Sequence, residues 1–365
     1  LYTNEKFKVA NFNKIKVKDV YKEISDTSVI TLDMPAALVE EYKFRQGQHL
    51  IFRLMDNGED LRRTYSLCSS PLENEWKVAV KSVPEGKFSY FVENQLKAGD
   101  TLEVMAPSGT FGVEANPENS KNYLFFAAGS GITPIISMIK TYLAVEPNST
   151  CKLFYVNKTA NSIIFKEELE QLRNRYFGRF EIYYFLTQER RDIDLFNGRF
   201  DDEKMEVLTT NFIDIPDTSE VFLCGPEKMV EFVSDYLVKA GLPKELIHYE
   251  LFITGLSEED IARAARLAKQ NVEGVEVTIV DGGKEFHFTM TKEYDNILDA
   301  ALSAGADLPF ACKGGVCSTC KCEIVEGDVE MLKNYALDEK DLGQNFVLSC
   351  QAVPLTQKVK VDFDV

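Results

Sequence analysis

The sequence predicts a multidomain protein: an antiparallel β-barrel, then a doubly wound α/β domain, then a small α+β module built around a cage of cysteines. Three observations carry this reading. The first third of the chain is a series of short strands broken by turn residues, the middle alternates apolar strands with helices, and the last quarter gathers Cys312, Cys317, Cys320 and Cys350. A chain of 365 residues has room for two or three domains with separate cores. They are expected at 7–114, 115–254 and 275–365, with a linker at 255–274.

In the first domain, strands are expected at 14–20, 29–34, 49–55, 64–68, 76–83 and 101–106, all rich in β-branched and aromatic residues. Asp56-Asn57-Gly58, Pro71 and Pro84-Glu85-Gly86 punctuate them, the pattern of an antiparallel barrel. The one helical stretch is 89–96. Two short motifs stand out here: Arg62-Arg63-Thr64-Tyr65-Ser66-Leu67, and Gly86-Lys87-Phe88-Ser89 at the helix start. An arginine fork can grip a diphosphate, and a glycine leading into a helix exposes N–H groups to the same anion. The tyrosine offers a ring for stacking and the serine a hydroxyl for a heterocycle nitrogen. Together they describe a pocket for a flavin nucleotide.

The second domain opens with Tyr123-Leu124-Phe125-Phe126-Ala127-Ala128, a continuous apolar run that reads as a buried parallel strand. It ends in Gly129-Ser130-Gly131-Ile132-Thr133-Pro134 ahead of a helix at 135–143. Strand, glycine turn and helix N-terminus form the arrangement that receives a dinucleotide pyrophosphate, with Pro in the first turn as a start signal. Alternation continues through strands at 151–156, 180–186 and 220–223 and helices at 162–176, 201–209 and 227–240. The last strand runs into Cys224-Gly225-Pro226. Asn157-Lys158-Thr159 follows the second strand, where groups that read the ribose 2′ position sit. Lys158 can meet a phosphate and no Asp or Glu stands beside it in sequence, which favours NADPH over NADH; Arg199 is a weaker candidate for the same role.

Residues 255–274 are polar, with Ser257 before Glu258-Glu259-Asp260 as a helix start. A partly helical tether that lets the last domain move is expected. Beyond it, strands are expected at 275–280 and 285–290 around Asp281-Gly282-Gly283, and a helix at 297–303. The cysteines then follow at C-x4-C-x2-C spacing, with Cys350 coming 30 residues after Cys320. This is the plant-type pattern for a [2Fe-2S] cluster, and Gly314 and Gly315 let backbone N–H groups turn toward sulfur. Zinc is the alternative, but it usually takes two short-spaced pairs and Cys350 stands alone. Cys322 is two residues past Cys320; the spacing favours Cys320 as ligand and leaves Cys322 as a packed side chain on a strand at 321–325.

The balance of 58 acidic against 41 basic residues, net −17, argues against nucleic acid or an anionic membrane as partner. It suits a basic protein partner, and it serves solubility equally well. No run of 18 apolar residues exists, and the start Leu1-Tyr2-Thr3-Asn4-Glu5-Lys6 lacks a signal-peptide apolar core. Eight cysteines, four of them clustered, fit a reducing compartment, so a cytoplasmic location is expected.

With both flavin motifs in order, the chain resembles the ferredoxin-NADP reductase superfamily, whose motifs are Arg-x-Tyr-Ser and Gly-x-x-Ser. The resemblance implies that Arg63 binds the FAD pyrophosphate, Tyr65 stacks on the isoalloxazine and Ser66 approaches the flavin N5. Gly86 and Ser89, with Lys87 and Phe88 between them, would complete the phosphate site beside Thr64. It also implies that Gly129, Ser130, Gly131, Thr133 and Pro134 hold the nicotinamide nucleotide, with Cys224, Gly225 and Pro226 at its nicotinamide end. Glu250, in His248-Tyr249-Glu250-Leu251-Phe252, becomes a proton-relay candidate, and residues 275–365 become a β-grasp ferredoxin.

Hydride chemistry moves two electrons together and the cluster accepts one, so a flavin is needed as the converter. His49, His248 and His287 lie far apart in sequence, with no pair at ligand spacing, so the electron acceptor is expected to be a separate protein. Segments such as Phe44-Arg45-Gln46-Gly47-Gln48-His49-Leu50, residues 311–322 and Gln351-Ala352-Val353-Pro354-Leu355 resemble the family of reductase subunits that serve ring-1,2-phenylacetyl-CoA epoxidases. That resemblance implies a di-iron oxygenase as acceptor. A reductase of another aromatic, alkane or CoA-thioester hydroxylase, and an electron carrier with a vestigial N-terminal part, stay open.

Overall fold

The computed structural model describes residues 12–56, 58–252, 262–263, 266–267 and 273–364. They form two compact units. The larger one, which leaves Asn13 and Arg62–Thr64 to the smaller, begins with strands β1 (Asn13–Ile24), β2 (Thr27–Asp33), β3 (His49–Asp56), β4 (Glu59–Ser66), β5 (Trp76–Lys81) and β6 (Thr101–Ser108), with helix α1 (Lys87–Asn94) before β6. The sheet order is β4-β3-β6-β1-β2-β5, and an antiparallel bridge from Leu67 to Val78 brings the chain after β4 onto β5 and closes the ring. Two-residue periodicity makes this barrel. On β1, Ile15 and Val17 are buried while Lys14, Lys16 and Lys18 are exposed. The two apolar side chains join Ile30, Leu50, Phe52, Val78 and Val104 in the barrel core, each stabilising by roughly 1.5–3 kcal/mol on burial. Helix α1 starts two residues earlier than the periodicity suggested, because Gly86 is its N-cap.

The chain then alternates β7 (Asn122–Ala128), α2 (Ile132–Val145), β8 (Thr150–Asn157), α3 (Lys166–Arg175), β9 (Phe180–Leu186), α4 (Asp202–Asn211), β10 (Glu220–Gly225), α5 (Glu227–Lys239) and β11 (Ile247–Leu251). The strands are all parallel in the order β11-β10-β7-β8-β9. The order reverses at β7, which makes the carboxyl ends of β7 and β10 the switch point where such sheets bind ligands. Helix α3 begins later than expected: Ala160–Ser162 form a separate turn, and Phe165 takes a left-handed φ of 59° that interrupts the helical run. Strand β11 falls on the stretch the sequence marked only as the end of the domain.

Barrel and α/β domain share side-chain bonds along α2. Ser137 Oγ donates to the Ser69 carbonyl at 2.6 Å, Ser70 Oγ and Thr141 Oγ1 are 2.9 Å apart, and Lys140 Nζ donates to the Cys68 carbonyl at 3.3 Å. Lys140 is buried and is satisfied further by Glu73, at 3.3 Å, and by Glu168. A buried ammonium needs such partners, and losing both carboxylates would leave an uncompensated charge.

The second unit carries β12 (Val275–Asp281), β13 (Lys284–Met290), α6 (Ile297–Ser303), β14 (Lys321–Glu326), β15 (Val329–Met331), α7 (Glu339–Gly343), β16 (Phe346–Leu348), β17 (Ala352–Pro354) and β18 (Lys358–Asp362). Its main sheet runs β13-β12-β18-β14-β16, with β12 and β18 parallel and the other neighbours antiparallel. Asn296 caps α6 through Asp299 N at 2.9 Å, and Ile297, Leu298, Ala300 and Ala301 pack on Val275, Val277 and Ile279. This mixed sheet with one helix laid across it is the α+β module expected. The start of the barrel at residue 7 and most of 255–274, Ser257 included, lie outside the described residues. Within the tether, Ala262, Arg263, Arg266 and Leu267 are helical, and Arg263 and Arg266 reach Glu330 Oε1 at 3.3 and 2.5 Å. Among the described residues no helix is long and apolar enough to cross a membrane.

Candidate functional site

Strand β4 carries the flavin motif in register. Arg63 is exposed, with Nη1 donating to the Arg62 carbonyl at 2.7 Å, and Thr64 Oγ1 is buried with no hydrogen-bond partner. Tyr65 is half-buried. Its ring is held edge-on to Phe52 at 6.0 Å and tilted against Phe88 at 5.4 Å, so its orientation is set before any ligand arrives. The loop before α1 explains the Gly-x-x-Ser spacing. Ser89 Oγ donates to the Gly86 carbonyl at 3.0 Å and accepts from Val83 N at 3.3 Å, and a Cβ on Gly86 would lie 2.5 Å from that same Oγ. The serine therefore shapes the turn rather than pointing out of it. Gly86 gives α1 no side-chain cap, which leaves first-turn N–H groups for an anion. The fixed Tyr65 ring and this cradle fit a flavin nucleotide.

The barrel motif meets the α/β domain at one point. Ser66 Oγ donates to Glu250 Oε2 at 3.0 Å, across 184 residues of sequence. Glu250 Oε1 is in turn 3.7 Å from Nδ1 of His49, whose Nε2 is 3.1 Å from Ser108 Oγ. His49 is 2% exposed. Parallel pairing of β10 with β11 sets Cys224 beside Glu250. Cys224 is fully buried, and its thiol is pushed well above the ordinary range by burial first and by the Glu250 carboxylate second. The thiol therefore stays neutral. Ser66, Glu250 and Cys224, the three sequence candidates for chemistry, are thus brought together, and His49 joins them. Sequence reasoning missed His49 because its partner lies 201 positions away, as 250 minus 49 gives; the motif Gly47-Gln48-His49 was visible without a role.

At the switch point, Gly129 has φ +54° and its carbonyl accepts from Tyr155 OH at 2.9 Å, while Thr133 Oγ1 donates to the Ser130 carbonyl at 3.1 Å. Gly131 is required by space: a Cβ there would sit 2.2 Å from the Cys224 carbonyl. The glycine turn after β7 and Cys224-Gly225-Pro226 after β10 are therefore in direct contact, and Pro226 is the N-cap of α5. Pro134 stands in the first turn of α2. Lys158 is exposed at the end of β8, and its carbonyl accepts from Gln188 N at 2.8 Å. The sequence suggested that no carboxylate stands near Lys158. None does in the chain, and in space the loop after β9 folds back so that Glu189 Oε2 accepts from Ala160 N at 2.8 Å, two residues on. Arg199 is exposed.

In the second unit the four cysteines form two thiol pairs. Cys312 is held below the ordinary thiol range by a hydrogen bond from Cys317 and by the N–H groups of Gly314, Val316 and Cys317. Cys350 is lowered by a hydrogen bond from Cys320, by Gln351 and by the N–H of Gly315. In each pair the donor thiol is raised. Among the described residues no three His, Cys, Asp or Glu side chains converge as a single-metal site would require. Two pairs, each with its own N–H donors, suit a cluster in which each iron takes two thiolates, and suit zinc with four ligands on one ion poorly. Cys322 is fully buried on β14 opposite Val347, its thiol pushed up by burial, so it is core.

Comparison with known proteins agrees with this geometry. Residues 14–112 match the oxidoreductase FAD-binding domain, 125–235 the oxidoreductase NAD-binding domain and 279–355 the 2Fe-2S iron-sulfur cluster binding domain. The chain is 41% identical over 356 residues to a component of the 1,2-phenylacetyl-CoA epoxidase of Escherichia coli K12, covering 98% of this chain and 99% of that one. It is 31% identical to the ferredoxin reductase component of 3-ketosteroid-9-alpha-monooxygenase from Rhodococcus rhodochrous, covering 96% of each. Among solved structures, phthalate dioxygenase reductase superposes with a TM-score of 0.60 at 21% identity, over 97% of this chain and 98% of that one; this last likeness concerns the fold.

Proposed function

The chain belongs to the family of reductase components that pass electrons from NAD(P)H through FAD and a [2Fe-2S] centre to an oxygenase, and we propose that its oxygenase is a di-iron epoxidase acting on phenylacetyl-CoA. The observation that carries the proposal is the 41% identity, end to end, to a component of that system, ten points above the 31% to a steroid-oxygenase reductase (41 minus 31). A cytoplasmic setting accords with eight cysteines that are all free.

FAD and the [2Fe-2S] centre, when bound, supply the conversion of a two-electron donor into single-electron output. The residues prepare for it. Arg63 and the α1 N-terminus offer positive charge to a diphosphate, Thr64 a hydroxyl, and Tyr65 a fixed ring, with Lys87 and Phe88 between Gly86 and Ser89 on the cradle. Gly129, Ser130, Gly131, Thr133 and Pro134 shape the nucleotide turn, and Gly225 and Pro226 keep the facing turn narrow. A proton at Ser66 Oγ has Glu250 as its acceptor; His49 Nδ1 lies 3.7 Å from the other carboxylate oxygen without a hydrogen bond to it. The Cys224 thiol beside Glu250 is fully buried and stays neutral. Cys312 and Cys317, with Cys320 and Cys350, hold the two irons. Lys158, exposed just past β8, would meet a ribose 2′-phosphate and so favour NADPH, with Glu189 on Ala160 N limiting that preference.

The test is reconstitution. Purified protein, the oxygenase component of phenylacetyl-CoA epoxidase, phenylacetyl-CoA and NADPH should consume NADPH and form the epoxide in equal amounts. If a steroid oxygenase is supported equally well and the epoxidase is not, the partner assignment is wrong while the reductase class stands.

A further inference from the structure

We propose that the side-chain amide of Gln351 is a shared N–H donor to the iron–sulfur site, raising its reduction potential while tying together the two segments that carry the first and last ligands. This rests on the [2Fe-2S] domain and not on which oxygenase is served, so its failure would leave the partner assignment untouched.

Gln351 follows Cys350 and is 6% exposed. A buried primary amide has two hydrogens to place, and leaving one unplaced is costly. Nε2 donates one hydrogen to the Lys313 carbonyl at 2.9 Å and shares the other between the Cys350 carbonyl at 2.9 Å and Cys350 Sγ at 3.5 Å. Lys313 adjoins Cys312, so one nitrogen bridges chain segments 38 residues apart. The backbone fixes this placement from both sides: Gln351 N donates to the Leu348 carbonyl and Leu332 N donates to the Gln351 carbonyl, both at 2.8 Å.

The surroundings are built to let the side chain in. Gly315 has φ +78°, and a Cβ there would lie 3.3 Å from Gln351 Cγ and 3.1 Å from the Lys333 carbonyl. A larger residue at 315 would push the amide away from the sulfur. The Cys312 end has a backbone donor, Gly314 N at 3.3 Å from Cys312 Sγ; Gln351 gives the Cys350 end a side-chain one. Reduction adds negative charge to the sulfurs, and N–H donors favour the more negative state, so such a bond raises the potential.

The experiment is a redox titration of the intact holoprotein, with the cluster followed by EPR and the flavin by absorbance, in the natural chain and in Gln351→Met, which keeps length and volume but donates nothing. The expected result is a lower cluster potential: at the natural midpoint the reduced-to-oxidised ratio falls about tenfold, equivalent to 59 mV for one electron, with the flavin midpoint unmoved. A fully loaded variant with an unchanged cluster potential would overturn the proposal. Should Gln351→Met fail to load the cluster, pulsed EPR on the natural protein carrying ¹⁵N in its glutamine side chains decides. A hyperfine coupling to the reduced cluster supports the donor role, and its absence refutes it.

Discussion

Two buried cysteines in this molecule face opposite ways chemically. Cys224, at the carboxyl end of β10, has burial and a neighbouring carboxylate, and its thiol is pushed up. Cys350, just past β16, is also buried, yet its thiol is pulled down by donors from Cys320, Gln351 and Gly315. Burial is common to both, so burial does not decide which cysteine carries iron. Pairing with a second thiol does: Cys317 and Cys320, raised as Cys224 is, stand in the same two pairs as Cys312 and Cys350. The same residue type thereby serves as an inert neutral wall in one region and as an anionic ligand in the other.

The comparison breaks most sharply at the ligands. Cys317→Ser is expected to abolish electron delivery to a protein acceptor while NADPH-driven reduction of a small dye stays nearly intact; stopped dye reduction in a folded, FAD-loaded variant would mean the two regions are not separable. Glu250→Gln removes the group between Ser66 and His49 and should slow flavin reduction about 10²-fold with the [2Fe-2S] spectrum unchanged, as stopped-flow absorbance can show. Arg63→Ala should weaken FAD retention about tenfold or more, the worth of a charge-assisted bond of roughly 1.5–3 kcal/mol; unaltered FAD affinity on dialysis would remove Arg63 from the site. Smallest is Lys158→Ala, an exposed charge worth up to about 1 kcal/mol. It should raise the KM for NADPH up to about fivefold and leave NADH alone, and an equal rise for both nucleotides would discard the 2′-phosphate reading.

What the sequence made legible follows the range of the interactions involved. Apolar runs and glycine turns are local, and the strands and helices of the α/β domain lie close to where periodicity put them. Cysteine spacing is local too, so four candidate ligands could be proposed in advance and Cys322 set aside, and the structure pairs the four and buries Cys322. Pairing across the chain is not local. Nothing near His49 or Glu250 says that they meet, because that depends on β11 joining β10 and on the barrel settling against α2. Glu189 escaped for the same reason, being brought to Ala160 by a loop that folds back. Strands β15 and β17 and helix α7, at three to five residues, are too short to show any period.

The bond from Ser66 to Glu250, with those from Ser69, Ser70 and Cys68 to α2, also bears on how such enzymes can be recombined. A chimaera that joins the barrel of one reductase to the nucleotide domain of another severs the Ser66–Glu250 bond and the bonds of a buried lysine at the same seam. Parents that differ at position 66, 140 or 250 should give offspring that still bind their ligands separately yet turn over poorly, so these two domains are best exchanged as a single block.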